Sequence, residues 1–171
     1  MIPLTAAIPG GLSKASLTWS RRGRTRERKL NNGIVGTLEQ PSFWCSKHEA
    51  VTSAASWTFR QAGFLRNGAE ILDSAQQSIA ILKAGWGGPA TLAFNDGQTF
   101  LIKTQGFWHP VWSVTTLDGQ ATLQLHKRER RVEVTNRAAF AADRLALLIL
   151  FTLYRMWQAE QDASAAALAA S

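Results

Sequence analysis

"DRLALLILFTLYRMW", Asp143 to Trp157, is the most apolar run of this 171-residue chain, and its length decides the fold. Ten residues, Leu145 to Tyr154, lie between Arg144 and Arg155 with no charge among them. As an α-helix rising about 1.5 Å per residue, they span about 15 Å. A bilayer core is about 30 Å thick and asks for about 20 apolar residues. Extending the run backwards meets Asp143 and Arg144; extending it forwards meets Arg155, Gln158 and Glu160. Ionised groups at bilayer depth are costly, so the run is too short to span. It is also apolar all round, and a helix without a polar face is buried on every side. An all-β protein buries such a helix by closing its sheet around it. The text from Arg137 onward is rich in Ala and Leu and has no turn residue, which predicts a helix over about 138–160. The alternatives for the same helix are a membrane anchor, through thin or tilted insertion, and an exposed helix docked on a partner.

Upstream, from about Ser16 to Asn136, short alternating segments are separated by turns. "SLTWS", "RTRERKL", "GIVGTLEQ", "SFWCSKHEAVTS" and "SWTFRQAGF" come first. "AEILDS" and "QSIAILKA" flank a turn at about Asp73 to Gln76, and "ATLAF", "QTFLIKT", "VWSVTTL", "ATLQLHK" and "RVEVTN" complete the series. About a dozen strands at this spacing indicate an all-β sandwich or barrel. Asn32-Gly33, Asn67-Gly68, Asp96-Gly97 and Asp118-Gly119 are hairpin dipeptides that tolerate positive φ, as type I′ turns require. The expected organisation is a loose leader over 1–15, one β-barrel domain over 16–160 with the helix at its centre, and an Ala-rich tail over 161–171.

Seven tryptophans against one tyrosine call for a real core. Cys45 is the lone cysteine, so no internal disulfide and no multi-cysteine zinc site can form. That fits a reducing, cytoplasmic setting. The N-terminal text lacks the basic region of a secretory signal and is broken by Pro3, Pro9 and Gly10-Gly11.

An enzyme has little to stand on in this text. His48, His109 and His126 form no H-E-x-x-H or Cys/His ligand set, and "AGWGGPA" lacks the Lys-Ser/Thr of a phosphate loop. Cys45 and His48 would point to opposite faces of a strand. No cofactor or metal is expected. The net charge of +7 points instead to an anionic partner. Arg22, Arg24, Arg26 and Arg28 recur at every second position, which on one strand would align four guanidinium groups. Lys127, Arg128 and Arg130 form a second cluster, with Glu27 and Glu129 interrupting the two. Such rows suit phosphate, since each arginine fork gives two hydrogen bonds to one anion. They equally suit a solvated or charge-guarded outer strand. The binding expectation is therefore anionic phospholipid headgroups or other phosphorylated ligands, in a protein peripheral to the membrane. Nucleic acid, through the same arginines with aromatic stacking, is less favoured because the tryptophans sit in alternating strands.

A dozen strands followed by one wholly apolar C-terminal helix resembles the tubby-like barrel superfamily, which includes the tubby C-terminal domain, the phospholipid scramblases and the LURP-one-related proteins. The texts that carry the likeness are "WTFRQAGFLRNGAEILD", "GPATLAFNDGQTFLIK", "WSVTTLDGQATLQL" and "LALLILFTLYRMW". The chain looks like a small bacterial-type member over about Ser16 to Gln158. The resemblance implies a closed antiparallel barrel of about twelve strands around the helix. Tubby domains bind phosphoinositides through basic residues, none of which matches this chain position by position. The calcium segment and cysteine cluster of scramblases have no counterpart here.

Overall fold

The computed structural model describes residues 13–22, 25–30, 33–41, 47–62, 68–84, 89–106, 110–128, 131–136 and 140–169; for residues 13–35 the backbone alone is described. The fold is mainly β, with antiparallel strands in one sheet and one C-terminal helix. Ten strands form an unbroken meander: β3 (Gly33–Glu39), β4 (Lys47–Val51), β5 (Ser56–Ala62), β6 (Gly68–Leu72), β7 (Ser78–Lys83), β8 (Ala90–Phe94), β9 (Thr99–Gln105), β10 (Val111–Thr116), β11 (Thr122–His126) and β12 (Arg131–Thr135). Before them come β1 (Ser13–Arg22) and β2 (Thr25–Leu30), paired with each other. β2 also pairs with β3, and β1 with β12 through Ser13↔Val134 to Ser16↔Arg131. Each strand thus falls on a segment expected from alternation, and β1 starts inside the stretch expected to be a leader.

Period-two alternation puts one row from each strand on a common inner face. Leu38, Ala50, Phe59, Ile71, Leu82, Leu92, Ile102, Val114, Leu123, Val132 and their neighbours on that face are buried in one cluster. Against it lies α1 (Ala142–Ala169). From Leu145 to Gln158 every side chain is buried except Arg155, which is half-buried. The all-round apolar text is therefore buried, as its lack of a polar face requires. Among the described residues no helix is long and apolar enough to cross a membrane.

Two expectations about the helix need correction. It begins at Ala142 rather than about 138, with Phe140 stacked on Phe100 just ahead of it. It also runs on to Ala169, so the Ala-rich stretch is an exposed extension of the helix rather than a tail. Alanine is the best helix former, and nothing in "AEQDASAAALA" stops the helix.

The hairpin turns also differ from the two-residue type I′ form. At β8–β9, Gly97 N–H donates to the Phe94 carbonyl and Phe94 N–H to the Gln98 carbonyl. Gly97 has φ +88°, and Asp96 does not have positive φ. This is a type I turn closed by a left-handed glycine, the usual three-residue hairpin. Gly119, at φ +71°, donates its N–H to the Thr116 carbonyl in a loop between β10 and β11 that is one residue longer, with Thr116 N–H on the Ala121 carbonyl. Gln76 takes that left-handed place in the β6–β7 turn, at φ 60°.

Candidate anion-binding site at the helix-exit end

Because the sheet is a meander, its two ends differ consistently. The helix enters beside the turns after β6, β8 and β10 and leaves beside the connections after β3, β5, β7, β9 and β11. At the entry end stand Asp73, Asp96, Asp118 and Asp143. Asp143 lies in the first helical turn, where the helix dipole favours an anion. Arg144 answers this charge: it pairs with Asp96 and lies over the Phe94 ring, 3.7 Å from the centroid. Asp118 accepts hydrogen bonds from the Thr116 hydroxyl and then the Gln120 N–H, which hold its carboxyl below the usual range.

The exit end differs. Lys47, Lys83, Lys103, Lys127, Arg128, Arg131 and Arg155 lie towards it, among acids that include Glu39, Glu49, Glu70, Glu133, Glu160 and Asp162; Glu70 pairs with Arg60 and Glu133 with Arg131. Lys127 Nζ pairs with Glu160 Oε1 at 3.0 Å, and Gln161 Nε2 donates to Gln40 Oε1 at 3.4 Å. These contacts fix the helix as it leaves the sheet.

Inside this end the inner row of β9 continues from buried Ile102 to Thr104, whose partner across the ladder is Trp112 of β10. Leu82, Ala90, Ile102, Trp112 and Arg155 line an open cleft of about 500 Å³, with the exposed Lys103, Thr104 and Gln105 along its margin. Arg155 Nη1 donates to Gln158 Oε1 at 2.7 Å, and Gln158 Nε2 donates to the Tyr154 hydroxyl at 2.6 Å. Burial lowers the Arg155 pKa from its usual value, opposed by Tyr154 and by Asp162 two turns along the helix. A guanidinium has five N–H donors, and among the described residues Gln158 is the one hydrogen-bond partner of Arg155. Burial raises the Tyr154 hydroxyl far above its ordinary pKa, so it is a neutral acceptor.

The arginines singled out from spacing fall differently. Arg22 belongs to β1, and Arg26 and Arg28 belong to β2, so the row is divided by a hairpin and does not lie on one strand. Arg22 stands opposite Thr25, whereas Arg26 stands opposite Arg21 and Arg28 opposite Trp19. Arg22 therefore has the opposite register parity to Arg26 and Arg28. On the other side, Arg26 and Arg28 are in register with Leu38 and Gly36. Arg24 and Arg130 lie outside the described residues. Lys127 and Arg128 lie in the turn after β11, at the same end as the β1–β2 turn. Ser16 pairs with Arg131, so the rest of β1 extends past the start of β12 towards that turn. Register thus brings the backbones of the two basic segments to one end.

His48 is buried on β4, edge-on to Tyr154 at 4.9 Å and to Trp157 at 4.7 Å; Cys45 lies outside the described residues. Among the described residues no group of His, Cys, Asp and Glu comes together that could hold a metal. Spacing alone missed Arg155, Thr104 and Trp112. The available signal was Arg155 itself, the only charge between Arg144 and Glu160. Comparison with known protein families, curated proteins and solved structures finds no match.

Proposed function

We propose that this chain is a non-catalytic binding domain, a closed twelve-strand barrel of tubby-like form around α1, that attaches to anionic lipid headgroups by its helix-exit end. The observation that carries the reading is the charge polarity of the sheet. The four turn and helix-start aspartates stand at the entry end, with Arg144 on one of them, whereas lysines and arginines stand at the exit end among glutamates that are partly paired with them. Such an axis turns the basic end toward an anionic surface and the acidic end away from it. Closure is supported by the pairing of β1 with both β2 and β12. A peripheral, cytoplasmic position at an anionic leaflet follows from the same reading.

Sequence adds a second support. The connections after β3, β5, β7 and β9 contain Phe43, Trp44, Phe64, Trp86, Phe107 and Trp108. These residues lie outside the described residues and are named from the sequence alone. The entry-end hairpin turns, 52–55, 73–77, 95–98 and 117–121, contain no aromatic residue, and Phe140, in the connection to the helix, is buried on Phe100. Tryptophan is enriched at membrane–water interfaces, and phenylalanine is common on the apolar faces of interfacial segments. Nucleic-acid stacking gains no such support from Trp57 and Trp157, which are buried.

Flotation with vesicles tests the reading. The protein is expected to float with vesicles containing phosphatidylserine at low salt and not with neutral ones. Each cation near an anionic surface contributes about 1 kcal/mol, so changing Lys83, Lys103 and Arg128 together to Gln is expected to weaken attachment roughly a hundredfold. A wild-type protein that ignores anionic vesicles at low salt overturns the proposal.

A further inference from the structure

We infer that the cavity beside Arg155 is a binding site for a carboxylate amphiphile, with the carboxylate on Arg155 and the tail among Leu82, Ala90, Ile102 and Trp112. This goes beyond attraction to a surface, because it names an open cleft of defined lining and a ligand that can be tested without a membrane. Three features of the cavity select this chemistry. Its volume of about 500 Å³ falls within the roughly 300–1,000 Å³ of pockets that enclose small ligands. Five of its nine lining residues, Leu82, Pro89, Ala90, Ile102 and Trp112, are apolar and offer a hydrocarbon tail a strip to lie on, while Lys103, Thr104 and Gln105 form an exposed polar margin. Of its two cations, exposed Lys103 and half-buried Arg155, the latter is a guanidinium, whose planar fork matches a carboxylate with two parallel hydrogen bonds.

The helix places that guanidinium for the task. Tyr154 and Gln158 are buried, and their hydrogen bonds hold Arg155 Nη1 from one side. The remaining donors have no described protein partner, and a desolvated cation gains most from an anion brought to it. Asp162 on the same helix lowers the local field but forms no ion pair with Arg155 among the described contacts. Thr104, on the inner face opposite Trp112, adds a hydroxyl to the wall. A carboxylate on Arg155 and an apolar body along Leu82, Ala90, Ile102 and Trp112 therefore match the guanidinium and the apolar strip of the cleft, with the exposed polar margin left to water.

Calorimetric titration of the full chain separates the possibilities, using decanoate below its micelle threshold, decanol and inorganic phosphate. Decanoate is expected to bind at least tenfold more tightly than decanol, and phosphate not to compete with it. Arg155→Met keeps the side-chain length and removes the charge; it is expected to bring decanoate and decanol to the same affinity. Ala90→Phe fills the cavity while leaving Arg155 in place and is expected to abolish decanoate binding, which keeps the test decisive if Arg155→Met fails to fold. The inference is overturned if decanoate does not bind, if phosphate displaces it, or if folded Arg155→Met still prefers decanoate. Vesicle flotation of Ala90→Phe distinguishes the two proposals: retained flotation with lost decanoate binding is the expected pair. Wild-type decanoate binding without any flotation sinks the surface reading and leaves this one standing.

Discussion

Gly36 of β3 and Leu150 of α1 meet so closely that a Cβ at Gly36 would lie 3.0 Å from Leu150 Cδ1. The same atom would lie 2.7 Å from the Val51 carbonyl oxygen, which cannot move without disturbing β4. The glycine is required by proximity, since its φ is not positive. Gly36→Ala is expected to destabilise the fold by about 1–3 kcal/mol through overpacking, read as a lower urea midpoint. Leu150→Ala in the same background removes one of the clashing partners, so the double variant is expected to deviate from additivity.

Leu148 is fully buried in the middle of the helix. Leu148→Asp is expected to unfold the protein, because an unpaired buried carboxylate costs several kcal/mol against a total stability of roughly 5–15 kcal/mol. Removing residues 143–171 is expected to do the same by taking away the element on which the inner rows of the strands pack. A truncated chain with native circular dichroism and monomeric size would show that the sheet does not depend on the helix.

Tyr154 is the only tyrosine, so its ionisation can be read directly from phenolate absorbance. Its folded pKa is raised chiefly by burial, above an unfolded value of about 10. The unfolded chain therefore binds fewer protons above that pH, and stability falls as pH rises from about 10 toward the folded value. Phenolate absorbance is expected to appear together with loss of tertiary structure rather than before it. Tyr154→Phe is expected to remove this alkaline slope. At neutral pH it costs about 1 kcal/mol because Gln158 loses an acceptor.

At Gly97 a Cβ would meet nothing within 4 Å, so the cost of a side chain there is purely conformational. Gly97→Ala is expected to destabilise by about 1–2 kcal/mol, the cost of a left-handed non-glycine residue. Thermal denaturation of Gly97→Ala and Gly119→Ala side by side checks this, since both sites are open and both have positive φ. A loss much larger than this at either site would mean that the turn packs against something.

The strands were legible because alternation and turn residues agree at each step; "ATLAFNDGQTFLI" holds two inner rows and a loop in thirteen letters. The turn geometry was not, since Asp-Gly says that one residue takes positive φ but not whether the turn has two central residues or three. The length and apolar symmetry of Leu145–Tyr154 were enough to place the helix among the buried elements rather than across a membrane. Its C-terminal limit was misread because composition was taken as a tail signal where alanine simply continues a helix. The arginine row was legible as charge but not as geometry: period two gives one face only when the residues share a strand, and Gly23 lies between Arg22 and Arg26. The cavity was hidden because Leu82, Thr104, Trp112 and Arg155 come from four elements, which only the ladder register and the helix position bring together.

The chain order also bears on how the protein is made. The buried helix follows the last strand, so on a ribosome the inner rows of the strands exist before their packing partner does. At about 5–20 residues per second, the interval between Thr135 and Gln158 lasts roughly 1–5 s. During it, Phe59, Leu92 and Val114 have no helix to cover them, and β1 must wait for β12, more than a hundred residues downstream. Pairings this distant in sequence are slow to form. A nascent chain halted before Leu145 therefore presents a continuous apolar surface, the kind of substrate that chaperones hold and proteases clear.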